Sequence, residues 1–245
     1  MPEAKRILVL AGSASETERH RDVAEKLALE LMLACSDESG QLHLDFDSRD
    51  SALRIVELAH QQPLAAVIPV HDNGAPVAAR ACSMLGLPFH TPKAADACKD
   101  KALLTRKLHA LELAGEPQGC SSSLYLTCLL SESRLRVLAV GGRGQQRGLL
   151  SGLDNTQREQ VVSVLRRIVP ALGLKHGPVH VTLAPGSKIL VQDVSLASAR
   201  SDTEGVRFRI PLVEQYMSFE EVVIRNALGL DVSRIYLDES NVAAV

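Results

Sequence analysis

A predicted hairpin near the carboxyl end of the chain carries polar side chains of the types that bind metal ions. The stretch VHVTLAPGSKILVQDVSLA, residues 179–197, reads as two strands joined by a tight Pro-Gly-Ser connection. Alternation along the second strand predicts that Asp193 and Ser195 share a face with Ile189 and Val191. Because Mg²⁺ prefers oxygen ligands, Asp193 is either half of a metal site or an ordinary polar residue of a hairpin.

A second group of polar residues, VHDNG, follows a predicted buried strand and precedes a predicted helix. Open α/β sheets bind their ligands at this kind of position, beyond the carboxyl end of a strand. The sequence therefore predicts a small-molecule crevice at Asp72 and Asn73. The alternative is that one of these two residues only caps the following helix.

Other motifs give weaker indications. The stretch GGRGQQRG, residues 141–148, contains Arg143 and Arg147, but it lacks the Lys-Ser/Thr pair of a P-loop and is typical of a flexible turn. Neither GxSxG nor HExxH is present, and the eight histidines are scattered. The five cysteines form no CxxC pair, which favours a reducing compartment over a disulfide or zinc framework.

The first ninety residues alternate strand and helix patterns. KRILVLA, LHLDFD and LAAVIPV read as strands, whereas SALRIVELAHQ and GAPVAARACSMLG read as helices. Another helix is predicted from about Glu16, with Ser15 and Glu18 at capping-box spacing and an apolar stripe that reaches Leu31. This βαβ alternation predicts parallel strands in a Rossmann-like domain over residues 1–95.

The rest of the chain predicts an α+β lobe over residues 96–245. A helix over residues 101–114 begins behind Asp100, and SLYLTCLL and RLRVLAV read as antiparallel strands. Two further helices are predicted, one from a Thr156 capping box and one from Ser218. The predicted fold class is therefore α/β, with a Rossmann-like half followed by an antiparallel lobe.

Composition excludes some partners. The net charge is −2, and aromatic residues make up 3% of the chain with no tryptophan, so nucleic acid and anionic membranes are not expected as partners. No apolar run approaches the ~20 residues that cross a bilayer. We expect a soluble, cytoplasmic protein, with enough apolar residues among its 245 for a substantial core.

The order of the motifs resembles that of the ATP-grasp superfamily, in particular its carboxylate–amine ligase and biotin-carboxylase-like group. The matching pieces cover residues 5–232: LGLP, an Asp100-Lys101 pair that opens a helix, AGEP, ALGLKHGPVH and the final SFEEVVIRNALGLD. The resemblance implies an ATP-dependent ligase that forms a C–N bond through an acylphosphate, with ATP and Mg²⁺ as cofactors. It also implies that Lys101 contacts an ATP phosphate and that Asp193 binds metal.

This chain departs from the family pattern in ways that suggest a truncated, degenerate member. Residues 117–121 replace a whole lid subdomain that carries a second ATP lysine and a glycine-rich loop. Thr182 stands where the family has its first metal-binding glutamate, and Ser195 and Ala197 stand where it has Asn and Arg. A hydroxyl is a poor substitute for a carboxylate in binding Mg²⁺.

Three functions are compatible with these features. The first is a pseudoenzyme, ligase-like in sequence but inactive, that acts as a binding or partner subunit. The second is a carboxylate–amine ligase whose nucleotide site is completed by a partner chain, and the third is a small-molecule-binding module that uses the crevice at Asp72. Loss of the lid also predicts an exposed apolar face near Leu124, Leu126, Val137 and Ala139, and hence a homo-oligomer or a complex with a partner protein.

Overall fold

The structure is a computed structural model, and it describes residues 5–115, 123–131, 134–142, 153–199, 208–210, 213–232 and 234–237. It contains a four-stranded parallel sheet and a four-stranded antiparallel sheet, so the predicted α/β fold class is confirmed. Arg143 and Arg147 of the glycine-rich stretch lie outside the described residues. No helix in the described ranges is long and apolar enough to cross a membrane.

The first half of the chain forms the parallel sheet and the helices that cover it. In chain order its elements are β1 (Arg6–Ala11), a 3₁₀ helix (Ala14–Thr17), α1 (Glu18–Lys26), β2 (Glu30–Cys35), β3 (Leu42–His43), α2 (Ser51–Gln61), β4 (Ala66–Pro69) and α3 (Ala75–Leu85). The strand order is β3-β2-β1-β4, and each neighbouring pair is parallel. The central residues of β1, β2 and β4 are apolar and buried because both faces of the sheet are covered, and the polar residues Arg6, Glu30 and His43 lie at strand ends.

The predicted continuation of the first helix to Leu31 is wrong. The helix ends at Lys26, the chain turns through Ala28 with φ 52°, and Leu31 lies in β2, paired with Ile7 of β1. The apolar run of β2 fits a helical stripe equally well. These residues form a strand because they pair with β1, and an apolar run can be buried on both faces of a parallel sheet.

Within the described residues, the second half forms the antiparallel sheet, a small three-stranded sheet and four helices. In chain order its elements are α4 (Pro92–Lys99), α5 (Lys101–Ala110), β5 (Leu124–Ser131), β6 (Arg134–Gly142), α6 (Asn155–Leu172), β7 (Gly177–Ala184), β8 (Leu190–Ser195), β9 (Phe208–Ile210), β10 (Val213–Met217), α7 (Phe219–Ala227) and β11 (Tyr236–Leu237). The strand orders are β6-β5-β7-β8 and β10-β9-β11.

Helix starts follow the predicted caps in two of four cases. The predicted Ser15–Glu18 capping box is wrong, because Ser13 is the N-cap of the 3₁₀ helix and Thr17 is the N-cap of α1. The Asp100 carboxylate accepts hydrogen bonds from the amides of the first turn of α5, and Ser218 caps α7. For α6, however, Asp154 is the cap instead of Thr156, because the carboxylate accepts from the Gln157 amide at 2.8 Å. The predicted division into domains at residue 95 stays a prediction; that position lies within α4.

Both faces of the antiparallel sheet pack against other parts of the chain, although Thr182 and Asp193 remain partly exposed. One face packs against α4, α5 and α6, and the other shares an apolar core with α7 and the parallel sheet. Leu126 and Ala139, on opposite faces, are each only 1% exposed, while Leu124 and Val137 pack partly buried against the first core. The predicted exposed apolar face is therefore wrong, because helices and sheet from the same chain cover it.

Candidate functional site

A β-bulge sets the direction of Asp193. Thr182 of β7 pairs with Asp193, but Leu183 pairs with Val191, so Gln192 is an extra residue in β8. The predicted common face of Val191 and Asp193 is therefore wrong: Val191 is buried in the apolar core, whereas Asp193 is partly exposed on the other face. Alternation along the sequence alone could not reveal this inserted residue.

Asp193 forms an ion pair with Lys101. Lys101 is the first residue of α5, and its Nζ lies 2.5 Å from Asp193 Oδ1. The same oxygen accepts the Val194 amide at 2.8 Å. The structure thus brings together the two residues that the resemblance assigned to an ATP phosphate and to a metal ion, and the two charges neutralise each other.

The strand that pairs with β8 supplies no second carboxylate. Thr182 lies directly opposite Asp193 on β7 and presents a hydroxyl where a second carboxylate would be needed. Among the described residues there is no group of three or more His, Cys, Asp or Glu side chains that could hold a metal ion.

Asp72 joins the ends of the two sheets. Its Oδ1 accepts hydrogen bonds from Ser195 Oγ at 2.8 Å and from the Leu196 amide at 2.9 Å. Helix α3 begins at Ala75 with Gly74 as its N-cap and without a side-chain cap, so the capping alternative for Asp72 is wrong. The carboxylate instead fixes the end of β8 to the end of β4.

Asp72 and Asn73 also line a cleft of about 710 Å³. Its walls come from the 3₁₀ helix and α1, from the loop after β4, from the end of β8 and the residues after it, and from α7. This cleft lies at the carboxyl end of the parallel strands, the position at which open α/β sheets bind ligands. Lys101 and Asp193 are not part of its lining.

Glu16 organises one rim of the cleft. Its carboxylate accepts the Gly12 amide at 2.8 Å and the Ser13 amide at 3.3 Å, and it lies 3.1 Å from His71 Nε2. These contacts fix the loop after β1 against the loop after β4, and they leave Glu16 already satisfied within the chain.

Two buried polar residues of the cleft were missed by sequence reasoning. His20 is 1% exposed; its Nε2 lies 2.9 Å from Ser198 Oγ, whereas its Nδ1 has no hydrogen-bond partner within the described structure. Burial lowers the pKa of His20 to about 4, so the ring is neutral near pH 7. Glu220 is 2% exposed, and Arg19 Nη1 lies 3.6 Å from its Oε1.

Only a faint signal for these two residues is present in the sequence. Glu220 is the first of two glutamates behind the Ser218 cap, a position at which acidic residues are common for helical reasons alone. His20 lies in an otherwise charged stretch. Their burial depends on packing between α1 and α7, which are about 200 residues apart in the chain.

The fold is similar to those of several solved ligase structures, although the sequence matches no protein-family model and no curated protein. An L-amino acid ligase from Bacillus licheniformis superposes with a TM-score of 0.71 at 16% identity, covering 100% of this chain and 79% of the ligase. A carboxyaminoimidazole ribonucleotide synthase from Aspergillus clavatus, complexed with ATP, gives 0.69 at 10% identity, covering 96% and 79% of the two chains.

A third neighbour extends the similarity to another kind of ligase. Phosphoribosylglycinamide synthetase from Anaerococcus prevotii superposes with a TM-score of 0.68 at 10% identity, covering 94% of this chain and 76% of the synthetase. The similarity runs through both sheets, and about a fifth of each neighbour has no counterpart here. The chain therefore has the ATP-grasp fold in a shortened form.

Proposed function

We propose that this protein is an ATP-grasp-fold binding protein without ligase activity. The observation that carries the proposal is the ion pair between Lys101 and Asp193, with Thr182 opposite the carboxylate. In a ligase of this fold these positions would face phosphate and metal. Here they face each other.

Charge arguments support the loss of ligase chemistry. Transfer of a phosphoryl group needs cations that neutralise the phosphate oxygens, and Mg²⁺ needs anionic oxygen ligands. In the described part of the chain, Asp193 is the one carboxylate of this hairpin, and a lysine already neutralises it. These residues do not fit a two-carboxylate Mg²⁺ site.

The cleft supports a remaining role in binding. Its volume of about 710 Å³ suits a small molecule. Asp72 and Asn73 lie on its wall, and Asp72 is held in place by two hydrogen bonds from the end of β8. A rigid, polar wall of this kind is typical of a binding site. The ion pair between Lys101 and Asp193 is not part of the cleft lining, so its formation does not block the cleft.

A second candidate is an ATP-dependent carboxylate–amine ligase that a partner chain completes. The structural neighbours favour it, because all three are ligases or synthetases and one is complexed with ATP. This candidate requires a partner that supplies further phosphate-binding cations and metal ligands. Formation of ADP from ATP by the isolated chain would support ligase chemistry without such a partner.

The role of Asp193 separates the two candidates. We expect Asp193→Asn to leave the affinity for ATP unchanged, whether Mg²⁺ is present or absent, when calorimetry compares it with the wild type. Asp47→Asn is a matched control, because it breaks another exposed lysine–aspartate pair, between Lys99 and Asp47 at 2.6 Å.

A working metal ligand would give a different result. Loss of one charge-assisted contact costs about 1.4 kcal/mol or more, so MgATP affinity would fall at least tenfold while affinity for metal-free ATP would not change. A metal-dependent loss of this size in Asp193→Asn, absent from Asp47→Asn, would contradict the proposal.

A further inference from the structure

The described lining of the cleft is strongly acidic. Four carboxylates contribute to it, against a single arginine. Glu16 is satisfied by backbone amides and by His71, but Glu18 is exposed and has no hydrogen bond or ion pair within the described part of the chain. Asp72 uses Oδ1 for its two hydrogen bonds. A cleft of this charge favours a cationic ligand.

Glu220 is a buried carboxylate with unused capacity to accept hydrogen bonds. Its side chain is 3% exposed, and its ion pair with Arg19 Nη1, at 3.6 Å, is longer than a hydrogen bond. A buried carboxylate is costly unless donors surround it. Because Glu220 also lines the cleft, a ligand that carries N–H donors would satisfy it.

His20 is a second buried polar side chain at the wall of the cleft. It lines the cleft and is 1% exposed, and its Nδ1 has no hydrogen-bond partner among the described residues. When its proton is on Nε2, which faces Ser198 Oγ, Nδ1 is a free acceptor.

The spacing of these groups favours an extended organic cation over a metal ion. Glu18 lies on α1, Asp72 follows β4, and Glu220 lies on α7, so three separate elements supply the charges. Within the described ranges no three acidic, histidine or cysteine side chains converge closely enough to hold a metal ion. A molecule with several charged nitrogens can reach carboxylates that one metal ion cannot.

We propose that the cleft binds an extended organic cation with two or more ammonium or guanidinium groups, and that Glu220, Glu18 and Asp72 receive its charged nitrogens. This inference rests on the proposed function, because it names the ligand class of the same cleft. Glu220 supplies the buried acceptor, and Glu18 supplies charge at the solvent-exposed rim.

Calorimetry of the full chain with spermidine tests this assignment. We expect saturable binding at one site at physiological ionic strength. Glu220→Gln should weaken it at least tenfold and Glu18→Gln severalfold, because the first carboxylate is buried and the second is screened by water. Glu57→Gln, on the exposed face of α2, is the matched control for the same charge change and should bind as the wild type does.

Several results would overturn the inference. One is the absence of saturable binding by spermidine. Another is an equal loss of spermidine affinity in Glu57→Gln and Glu220→Gln. A third is Mg²⁺ that competes with spermidine at equal ionic strength in a manner that depends on Glu220. If Glu220→Gln does not fold, the spermidine affinity of Glu18→Gln is compared with that of Glu57→Gln. Equal affinities in these two variants would then overturn the inference.

Failure of this inference can be distinguished from failure of the proposed function. Saturable binding of succinate or inorganic phosphate, with no binding of spermidine, would overturn the cationic assignment and leave a binding protein in place. Tight, Asp193-dependent binding of MgATP would instead contradict the proposed function.

Discussion

At the scale of single residues, the Lys101–Asp193 pair is a contact that the sequence could not predict. Each residue could be assigned to a family position, but the contact depends on the Gln192 bulge and on the packing of α5 beside β8. Asp100 was predictable as a cap because capping is local. The sequence was equally compatible with a capping role for Asp72, and that role is wrong. The actual partners of Asp72, Ser195 and Leu196, lie more than 120 residues away in the chain.

The energy of the Lys101–Asp193 pair should be small. The side chains are 59% and 32% exposed, and exposed ion pairs contribute roughly 0.2–1 kcal/mol. We therefore expect a double-mutant cycle of Lys101→Met and Asp193→Asn, followed by urea unfolding, to give a coupling free energy within this range. A coupling above about 2 kcal/mol would indicate a desolvated pair and contradict this picture.

Buried His90 should make stability depend on pH. Its Nε2 lies 3.0 Å from the Pro178 carbonyl oxygen, its Nδ1 accepts the Lys175 amide at 3.2 Å, and burial lowers its pKa from 6.5 to about 4. The unfolded chain therefore takes up a proton at a higher pH than the folded chain does. The stability contributed by neutral His90 is fully present above pH 6.5 and is lost as the pH falls toward 4.

The lowered pKa of His90 corresponds to a loss of about 2 kcal/mol of unfolding free energy between pH 7 and pH 5. His90→Gln should reduce the slope of unfolding free energy against pH over this interval, with a residual slope from His20, whose pKa burial also lowers to about 4. The measurement is urea unfolding at several pH values. Parallel curves for the wild type and His90→Gln would contradict the assignment.

At the scale of elements, the junction between the ends of β4 and β8 organises the cleft. Besides the Asp72 contacts, the Ser198 amide donates to the Pro69 carbonyl at 3.0 Å, and the Ala199 amide donates to the Val70 carbonyl at 3.2 Å. Most helices and strands were predicted from periodicity and caps. This junction was not, because backbone pairing between distant segments leaves no local pattern.

Removal of the Asp72 carboxylate should destabilise this junction. Asp72→Ala leaves Ser195 Oγ and the Leu196 amide without their acceptor, which should cost about 1.5–3 kcal/mol of unfolding free energy. Asn73→Ala is the control; Asn73 is exposed and makes no side-chain hydrogen bond within the described chain, so we expect a change below about 0.5 kcal/mol. Equal effects of the two variants in chemical denaturation would refute the role given to Asp72.

At the scale of the whole molecule, two sheets share one apolar core through α7 and the inner face of the antiparallel sheet. The resemblance and the βαβ order were sufficient to predict the fold class, but not the shared core. The exposed face was wrongly predicted because the sequence does not show which elements cover a sheet. Assembly with a second copy or a partner stays a prediction, and sedimentation velocity over a wide concentration range would test it.

Calorimetric titration of the wild-type chain with MgATP tests the central claim most directly, after circular dichroism has verified that the sample is folded. Two or three missing phosphate or metal contacts, each worth about 1.4 kcal/mol or more, move a micromolar site to the millimolar range. We therefore predict no saturable heat below millimolar nucleotide. A dissociation constant below ~10 μM would contradict the account and favour an active ligase.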